Sequence, residues 1–425
     1  MLHRLTPPLR RAAAAVALLA AATLPAALAG PASAAPATAP PLTVASGGHA
    51  HGAGDIFITP TDNTTAADGE YADGAEILSR SGRELWFHAA PAGDVDADLR
   101  PQSLDGRPVL TFWEGTNFGS LSNGTDYIYN DHYREIAAVH AGPGLTTDGH
   151  EFLISPWGTA FVVSYDTATA NLSSIGGPPD QTVIDGIVQE IDIHTGKVLW
   201  SWDSADHVPY SQSEQPLPAT ASDPWDWFHV NAIKLGPDGS LLIDARDTWT
   251  MYDVSPHAGG RILWQLGGKD SSLRERAARG QTLDEAGRIF AWQHDPEYLG
   301  HDEYTFFDNE SAGTANTGAG ASSELSYSRV VTVRIDPRSE TATLVAADNQ
   351  PEGGLASSQG NGQRLPGGGE FVGWGILNSI SQFDRRGRLT FNAEFPSGVN
   401  TYRAYLLPWG GGATRAQRPA RHHRR

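Results

Sequence analysis

Three histidines, His150, His229 and His294, each open a similar stretch of the chain, in Gly149-His150-Glu151-Phe152, Phe228-His229-Val230-Asn231 and Gln293-His294-Asp295-Pro296. They lie 79 and 65 residues apart. Imidazole changes charge near neutral pH, so a histidine can be nucleophile, general acid or general base. Each stretch runs into a short β-rich module ending in a glycine-containing turn and an apolar strand. Modules of that kind, stacked around an axis, would bring the three rings into one pocket.

Positioning them requires a repeat. The phrase recurs in Ser81-Gly82-Arg83-Glu84-Leu85-Trp86, Thr195-Gly196-Lys197-Val198-Leu199-Trp200 and Gly260-Arg261-Ile262-Leu263-Trp264, with a tryptophan-free version in Arg386-Gly387-Arg388-Leu389-Thr390-Phe391. The clearest unit, 228–264, reads as four strands in under forty residues, one blade of a β-propeller. Counting units gives six: 50–92, 105–142, 149–204, 227–268, 290–348 and 358–395. The spacing predicts that Tyr402 to Leu407 supplies a closing strand to the first blade. The fold class expected is all-β, a six-bladed β-propeller of four-stranded antiparallel blades. Trp86, Trp200 and Trp264 share the blade period and read as packing. Two stretches break the repeat: 269–289, with Leu273 to Arg279, predicts a short helix, and 310–327, rich in Gly, Ser and Ala, a long surface loop.

The chain has 425 residues and no cysteine, so disulfides and thiolate metal sites are excluded and a large core must hold it. Residues 1–34 read as a signal peptide: Arg4, Arg10 and Arg11, the apolar run Ala12 to Leu28, then Ala32-Ser33-Ala34. Residues 35–410 form the expected propeller and 411–425 a disordered basic tail. A secreted protein is expected, by general or twin-arginine export. No second apolar segment has spanning length, so no membrane partner is expected. Setting aside the three signal arginines leaves 27 basic residues against 49 acidic. That balance argues against nucleic acid.

Several motifs are absent. Gly267-Gly268-Lys269-Asp270 lacks the spacing and hydroxyl of a phosphate loop, and Gly360-Asn361-Gly362-Gln363 stops short of a dinucleotide fingerprint. Asp94, Asp96 and Asp98 alternate as in a calcium loop, but Leu99 stands where the turn glycine belongs. His88, His132, His140, His194 and His257 fall in outer-strand or turn contexts and read as surface or satisfied residues. His207 and His301 are intermediate.

In order and number, these phrases resemble the secreted arylsulfotransferases. The resemblance rests on Arg107 to Gly115, His150-Glu151-Phe152, Gln189 to Asp192, Phe228 to Ile233, Asp244 to Thr248, Trp264 to Lys269, Gln293-His294-Asp295, Phe307-Asp308-Asn309, Ser328-Arg329 and Gly360 through Gly375. It covers nearly everything from about 75 to 410. Membership implies a six-bladed propeller with its site at the axial channel. It also implies sulfuryl transfer from a phenolic sulfate donor to a phenol acceptor, without a nucleotide donor, metal or other cofactor. A monomer is expected.

A transferring sulfuryl group carries its charge on equatorial oxygens, so cationic and amide donors suit it. His229, His294, Arg329 and His150 are the catalytic candidates; Arg246, Asn231 and Asn309 are candidate oxygen contacts. One departure stands out: family members take the sulfated histidine from a later blade, yet no histidine lies between His301 and His422. Another histidine takes over, or transfer is direct, or catalysis is lost. The rival from another class is a non-catalytic secreted propeller binding a sulfated, phenolic or glycan ligand. A quinone-dependent dehydrogenase is a lesser rival, because Thr195 to Trp200 also resembles that family's blade phrase.

Overall fold

The computed structural model describes residues 38–64, 70–116, 119–311 and 325–411. The signal segment 1–34, residues 312–324 of the expected loop and the tail from 412 onward lie outside the described residues.

Within the described residues, six antiparallel sheets of four or five strands form a ring, a six-bladed β-propeller. From axis to rim, blade one is Val399–Leu407, Asp55–Asp62, Gly74–Leu78 and Glu84–Ala89. The last strand of the chain thus lies innermost beside the first blade's own strands, as the sequence predicted, and this pairing closes the ring. Blade two runs Val95–Leu104, Arg107–Thr116, Asn123–Tyr129 and Glu135–Val139. Blade three runs Asp148–Ile154, Thr159–Ala170, Gln181–Asp192 and Val198–Asp203. Blade four is Val230–Leu235, Leu241–Ala245, Thr250–Ser255 and Arg261–Gly267. Blade five is His294–Gly300, Glu303–Asp308, Arg329–Asp336 and Thr341–Asn349; blade six is Asn361–Arg364, Glu370–Gly373, Ser379–Phe383 and Leu389–Glu394.

Two sequence expectations are corrected. Blade two begins at Val95 rather than 105. Its inner strand carries Asp96, Asp98, Arg100 and Gln102 and reads as a loop, yet the first three are buried because they face neighbouring blades instead of water. Residues 269–289 hold no helix; Arg274–Ala277 is a strand pairing parallel with Thr341–Asn349 on the rim of blade five. Helix propensity here is a weak local preference, and the unpaired rim strand offered backbone partners instead. Thr43–Ser46 covers the rim of blade six, pairing antiparallel with Leu389–Glu394.

The core lies between blades. Phe161, Val163, Trp202, Phe228 and Tyr252 fill the space between blades three and four. Fully buried tryptophans keep their indole N–H satisfied, Trp202 on the Gly260 carbonyl at 3.0 Å and Trp374 on Ser381 at 2.8 Å. Trp86, Trp200 and Trp264 all pack against core clusters, in line with the packing role read from their period. Among the described residues no helix is long and apolar enough to cross a membrane.

Candidate functional site

The entry to each inner strand is irregular. His229 has φ of +56°, Trp292 +57° and Gln359 +64°. Register shifts follow at Val230/Ala232 and His294/Glu297. Irregularities of this kind re-aim side chains at a strand end. They turn His150, His229 and His294 into one cavity of about 270 Å³, which Ser120, Asp226, Arg246, Asp247 and Gln359 also line. The His150 and His229 rings stand perpendicular, centroids 4.9 Å apart.

Each histidine has an oxygen behind it. The His229 Nδ1–H donates to Asp226 Oδ2 at 2.5 Å, with Ser120 Oγ 3.3 Å from the same nitrogen. Asp226 is placed by a two-residue strand, Trp225–Asp226, that runs parallel to Gln181–Asp192 of blade three. His150 uses Nδ1 on Asp148, whose second oxygen accepts from Ser122. His294 Nδ1 lies 2.7 Å from Asn309 Oδ1. The Asn309 amide donates to the carbonyls of Ala356 and Gln359, which fixes its oxygen toward the ring. His294 Nε2 accepts the Gln359 N–H at 3.2 Å, so the His294 proton sits on Nδ1.

These surroundings separate the three rings electrostatically. Burial lowers the pKa of His150, and Asp148 only partly opposes it. Burial also acts to lower that of His229, but the Asp226 carboxylate outweighs it and the net shift is upward. His294 is pushed well down, by burial and then by the Arg246 guanidinium. At neutral pH the cavity therefore holds a neutral His150, a neutral His294 and a His229 biased toward imidazolium.

Arg246 opens a buried turn, Arg246–Thr248, just after the second strand of blade four. Its guanidinium pairs with Asp247 at 2.6 Å, donates to the Ser357 carbonyl at 3.1 Å and lies over the Trp292 ring at 5.1 Å. Its buried Nε has no partner. Asp226, His229 and Asp247 are close enough to hold a cation, but Asp247 already has Arg246 beside it.

The other sequence candidates stand elsewhere. Arg329 is held by Asp308 at 2.8 Å and by the carbonyls of Thr282 and Ile289; it ties 282–289 to blade five and does not line the cavity. It begins the third strand from the axis, which is too far out in the blade to reach the channel. Asn231 donates to the Gln293 carbonyl at 2.7 Å and joins blades four and five instead of facing the cavity. Asn309 acts behind His294 rather than at the cavity surface.

Sequence reasoning missed the carboxylates. Asp148 and Asp226 precede their histidines by two and three residues, a spacing that could have flagged both. It also missed the buried ionic plug on the axis. Arg403 from blade one contacts Asp98 at 3.2 Å, Glu151 at 2.9 Å and Asp295 at 3.4 Å. Lys234 contacts Glu151, Asp295 and Glu297 at 2.9, 2.7 and 3.0 Å. Glu151 adjoins His150 and Asp295 adjoins His294, so the plug fixes the same strand ends that present the rings.

The family model for arylsulfotransferase (ASST) matches residues 100–396. No curated protein matches the chain. Among solved structures it is similar to a Bacteroides caccae protein of unknown function, at 10% identity and TM-score 0.46, covering 83% of this chain and 98% of that one. A Lactobacillus plantarum protein is similar at 11% identity and TM-score 0.38, covering 83% and 99%. A Dyadobacter fermentans protein of unknown function is similar at 13% identity and TM-score 0.35, covering 77% and 86%.

Proposed function

The chain belongs to the arylsulfotransferase family, and from that membership we propose that it moves a sulfuryl group from a phenolic sulfate ester to a phenol, without a nucleotide donor, at the histidine cavity. One observation carries the assignment of roles: His150 and His229 face each other with their pKa values pushed in opposite directions. Neighbouring titratable groups separated in this way divide into base or nucleophile and acid.

His150, neutral, attacks sulfur through Nε2. The S–O bond to the donor phenol breaks, and the departing phenolate takes the proton of the His229 imidazolium. His150 then carries the sulfuryl group, and the positive charge created on its ring faces the Asp148 carboxylate. In the second half-reaction the acceptor phenol gives its proton to His229 Nε2 as its oxygen attacks sulfur, and His150 leaves neutral. Arg246, which lines the cavity, neutralises the equatorial oxygens. His294, whose Nε2 accepts from Gln359, orients that segment and takes no bond to sulfur. A second cavity of about 230 Å³ shares Gln359 and offers room for the aryl ring beside Val95, Ala97 and Tyr402, with the polar Asn63, Asp96 and Asn400 also lining it.

This assignment places the nucleophile in blade three. In blade six, Gln359-Gly360-Asn361 occupies the position that His229-Val230-Asn231 holds in blade four, and the side chain reaching the cavity there is an amide. We read residues 1–34 as an export signal, and a reaction outside the cytoplasm would support a donor that is not a nucleotide.

Incubation with a chromogenic phenyl sulfate tests the reading. Release of the chromophore that depends on added phenol, together with a sulfated His150 after donor alone, is expected. Release without acceptor would point to hydrolysis instead, and no release from either mixture would leave a binding propeller. Full transfer by His150→Ala would remove His150 as the nucleophile.

A further inference from the structure

A second group of ionisable side chains lies at the junction of blades one and two. Asp96, on the inner strand of blade two, stands directly opposite Glu114 on the next strand, so both carboxylates project from the same face. His88, on the outer strand of blade one, closes the group with Nε2 at 2.7 Å from Glu114 Oε2. One ligand atom from each of the three lies within 4.8 Å of the others.

Asp96 is 3% exposed, and its carboxylate has no side-chain hydrogen-bond partner among the described residues; the one donor near it is the Ala75 backbone N–H. After burial itself, the strongest charged influence on it is Glu114, with Asp73 and Asp94 adding further negative charge and the Ala75 backbone amide opposing. Two like charges placed in register across a strand pair destabilise a sheet, and a buried carboxylate without a partner costs more still. Proteins resolve such an arrangement by protonating the carboxyl, by pairing the charge or by coordinating a cation. No lysine or arginine is paired with Asp96 or Glu114 among the described residues. One imidazole nitrogen and two carboxylate oxygens form an N/O donor set suited to a borderline divalent ion.

We propose that His88, Asp96 and Glu114 bind a divalent transition-type cation, with Zn²⁺ as its probe, clamping blade one to blade two. In a tetrahedral site with bonds of about 2.0–2.1 Å, ligand atoms stand roughly 3.3 Å apart. The observed spacings, from 2.7 Å to within 4.8 Å, bracket that value, so sub-ångström to ångström-scale side-chain shifts admit the ion. His88 is 27% exposed and can make the larger movement, while Asp96 is held by its strand. The fourth position falls to solvent on the His88 side. The calcium-type alternation of Asp94, Asp96 and Asp98 is not what builds the site: Asp98 is committed to Arg403 on the axis, and the remaining ligands come from other strands.

The test is calorimetric titration of chelator-treated full-length protein with Zn²⁺, alongside thermal melting with and without the ion and with Ca²⁺ as contrast. Wild type is expected to take up one tightly bound equivalent of Zn²⁺, to melt higher with it, and to bind Ca²⁺ more weakly. His88→Ala and Asp96→Asn should each weaken uptake at least tenfold. Asp96→Asn also removes the buried carboxyl, so its metal-free form should melt at or above wild type while its response to Zn²⁺ disappears. That pairing separates loss of a ligand from failure to fold. His229→Ala should retain the tight equivalent. The proposal is overturned if wild type takes up no Zn²⁺ tightly, or prefers Ca²⁺. It is overturned equally if His88→Ala and Asp96→Asn bind as wild type does, which would place the ion at Asp226, His229 and Asp247 or at the terminal histidines His422 and His423.

Discussion

Asp226→Asn tests the division of labour between the two facing histidines while leaving size and shape in place. The Asp226–His229 contact of 2.5 Å is a hydrogen bond to an ionised partner, worth about 1.5–3 kcal/mol. Since about 1.4 kcal/mol is tenfold in rate, losing it lowers kcat/KM for a phenyl sulfate by roughly 10- to 150-fold. The asparagine amide can also turn its NH₂ toward Nδ1, which forces the other tautomer and takes the loss toward ~10⁴. The pH profile follows from the sign of the shift. Asp226 raises the pKa of His229 against burial, so the variant's alkaline limb, where the general acid is lost, moves to lower pH. The same shift links to stability: this contribution is complete below the unfolded pKa of His229, is lost as pH rises through the folded value, and vanishes in the variant. The assay is steady-state release from a chromogenic phenyl sulfate with saturating phenol across neutral pH, with far-UV circular dichroism as the folding control. A folded Asp226→Asn enzyme with wild-type kcat/KM and an unmoved alkaline limb would refute His229 as the acid.

Arg246→Lys keeps the charge but loses the fork on Asp247 and Ser357, and kcat should fall by roughly 10²- to 10³-fold in the same assay; an unchanged kcat removes Arg246 from the transition state. Arg403→Met takes one cation out of the plug and leaves Asp98, Glu151 and Asp295 to Arg100 and Lys234 alone, and denaturant unfolding should show a loss of about 3–5 kcal/mol. A loss below about 1 kcal/mol, the worth of a surface pair, would mean the plug is not a stabilising element. Glu76 is buried, and burial with Glu84 nearby raises its pKa from 4.5 to about 8. A group raised on folding stabilises fully below its unfolded pKa and loses that contribution as pH climbs to the folded one. Each unit is about 1.4 kcal/mol, so wild type should lose several kcal/mol over that window and Glu76→Gln should not. Urea midpoints at both ends of the window check this, and parallel slopes for the two proteins would refute it.

The blade count and the closing strand were legible because a propeller repeats a local phrase, and local phrases survive in sequence. Trp86, Trp200 and Trp264 mark the same point in three blades, where each packs on the neighbouring core. The inner strand of blade two was illegible for the opposite reason. Its Asp96, Asp98 and Arg100 look solvent-seeking, and for Asp98 and Arg100 it is Arg403 and Glu151 on other blades that explain their burial. Arg274–Ala277 misled because the partner that makes it a strand lies more than sixty residues later.

At the site, the sequence by itself determined which residue types were present: three histidines at matching entries to inner strands, and an arginine after the second strand of blade four. It also determined that no histidine comes from blade six. Only the tertiary structure decided their surroundings. The pKa of an imidazole depends on burial and on charges within a few ångströms, and those are set by which strands meet at the axis. Asp226 raises the pKa of His229, burial lowers that of His150, and Asn309 with Gln359 fixes the proton of His294. Asn231 and Arg329 carry suitable chemistry but point to the neighbouring blade and to the 282–289 segment, because a side chain's direction is a property of the assembled ring and not of the motif around it.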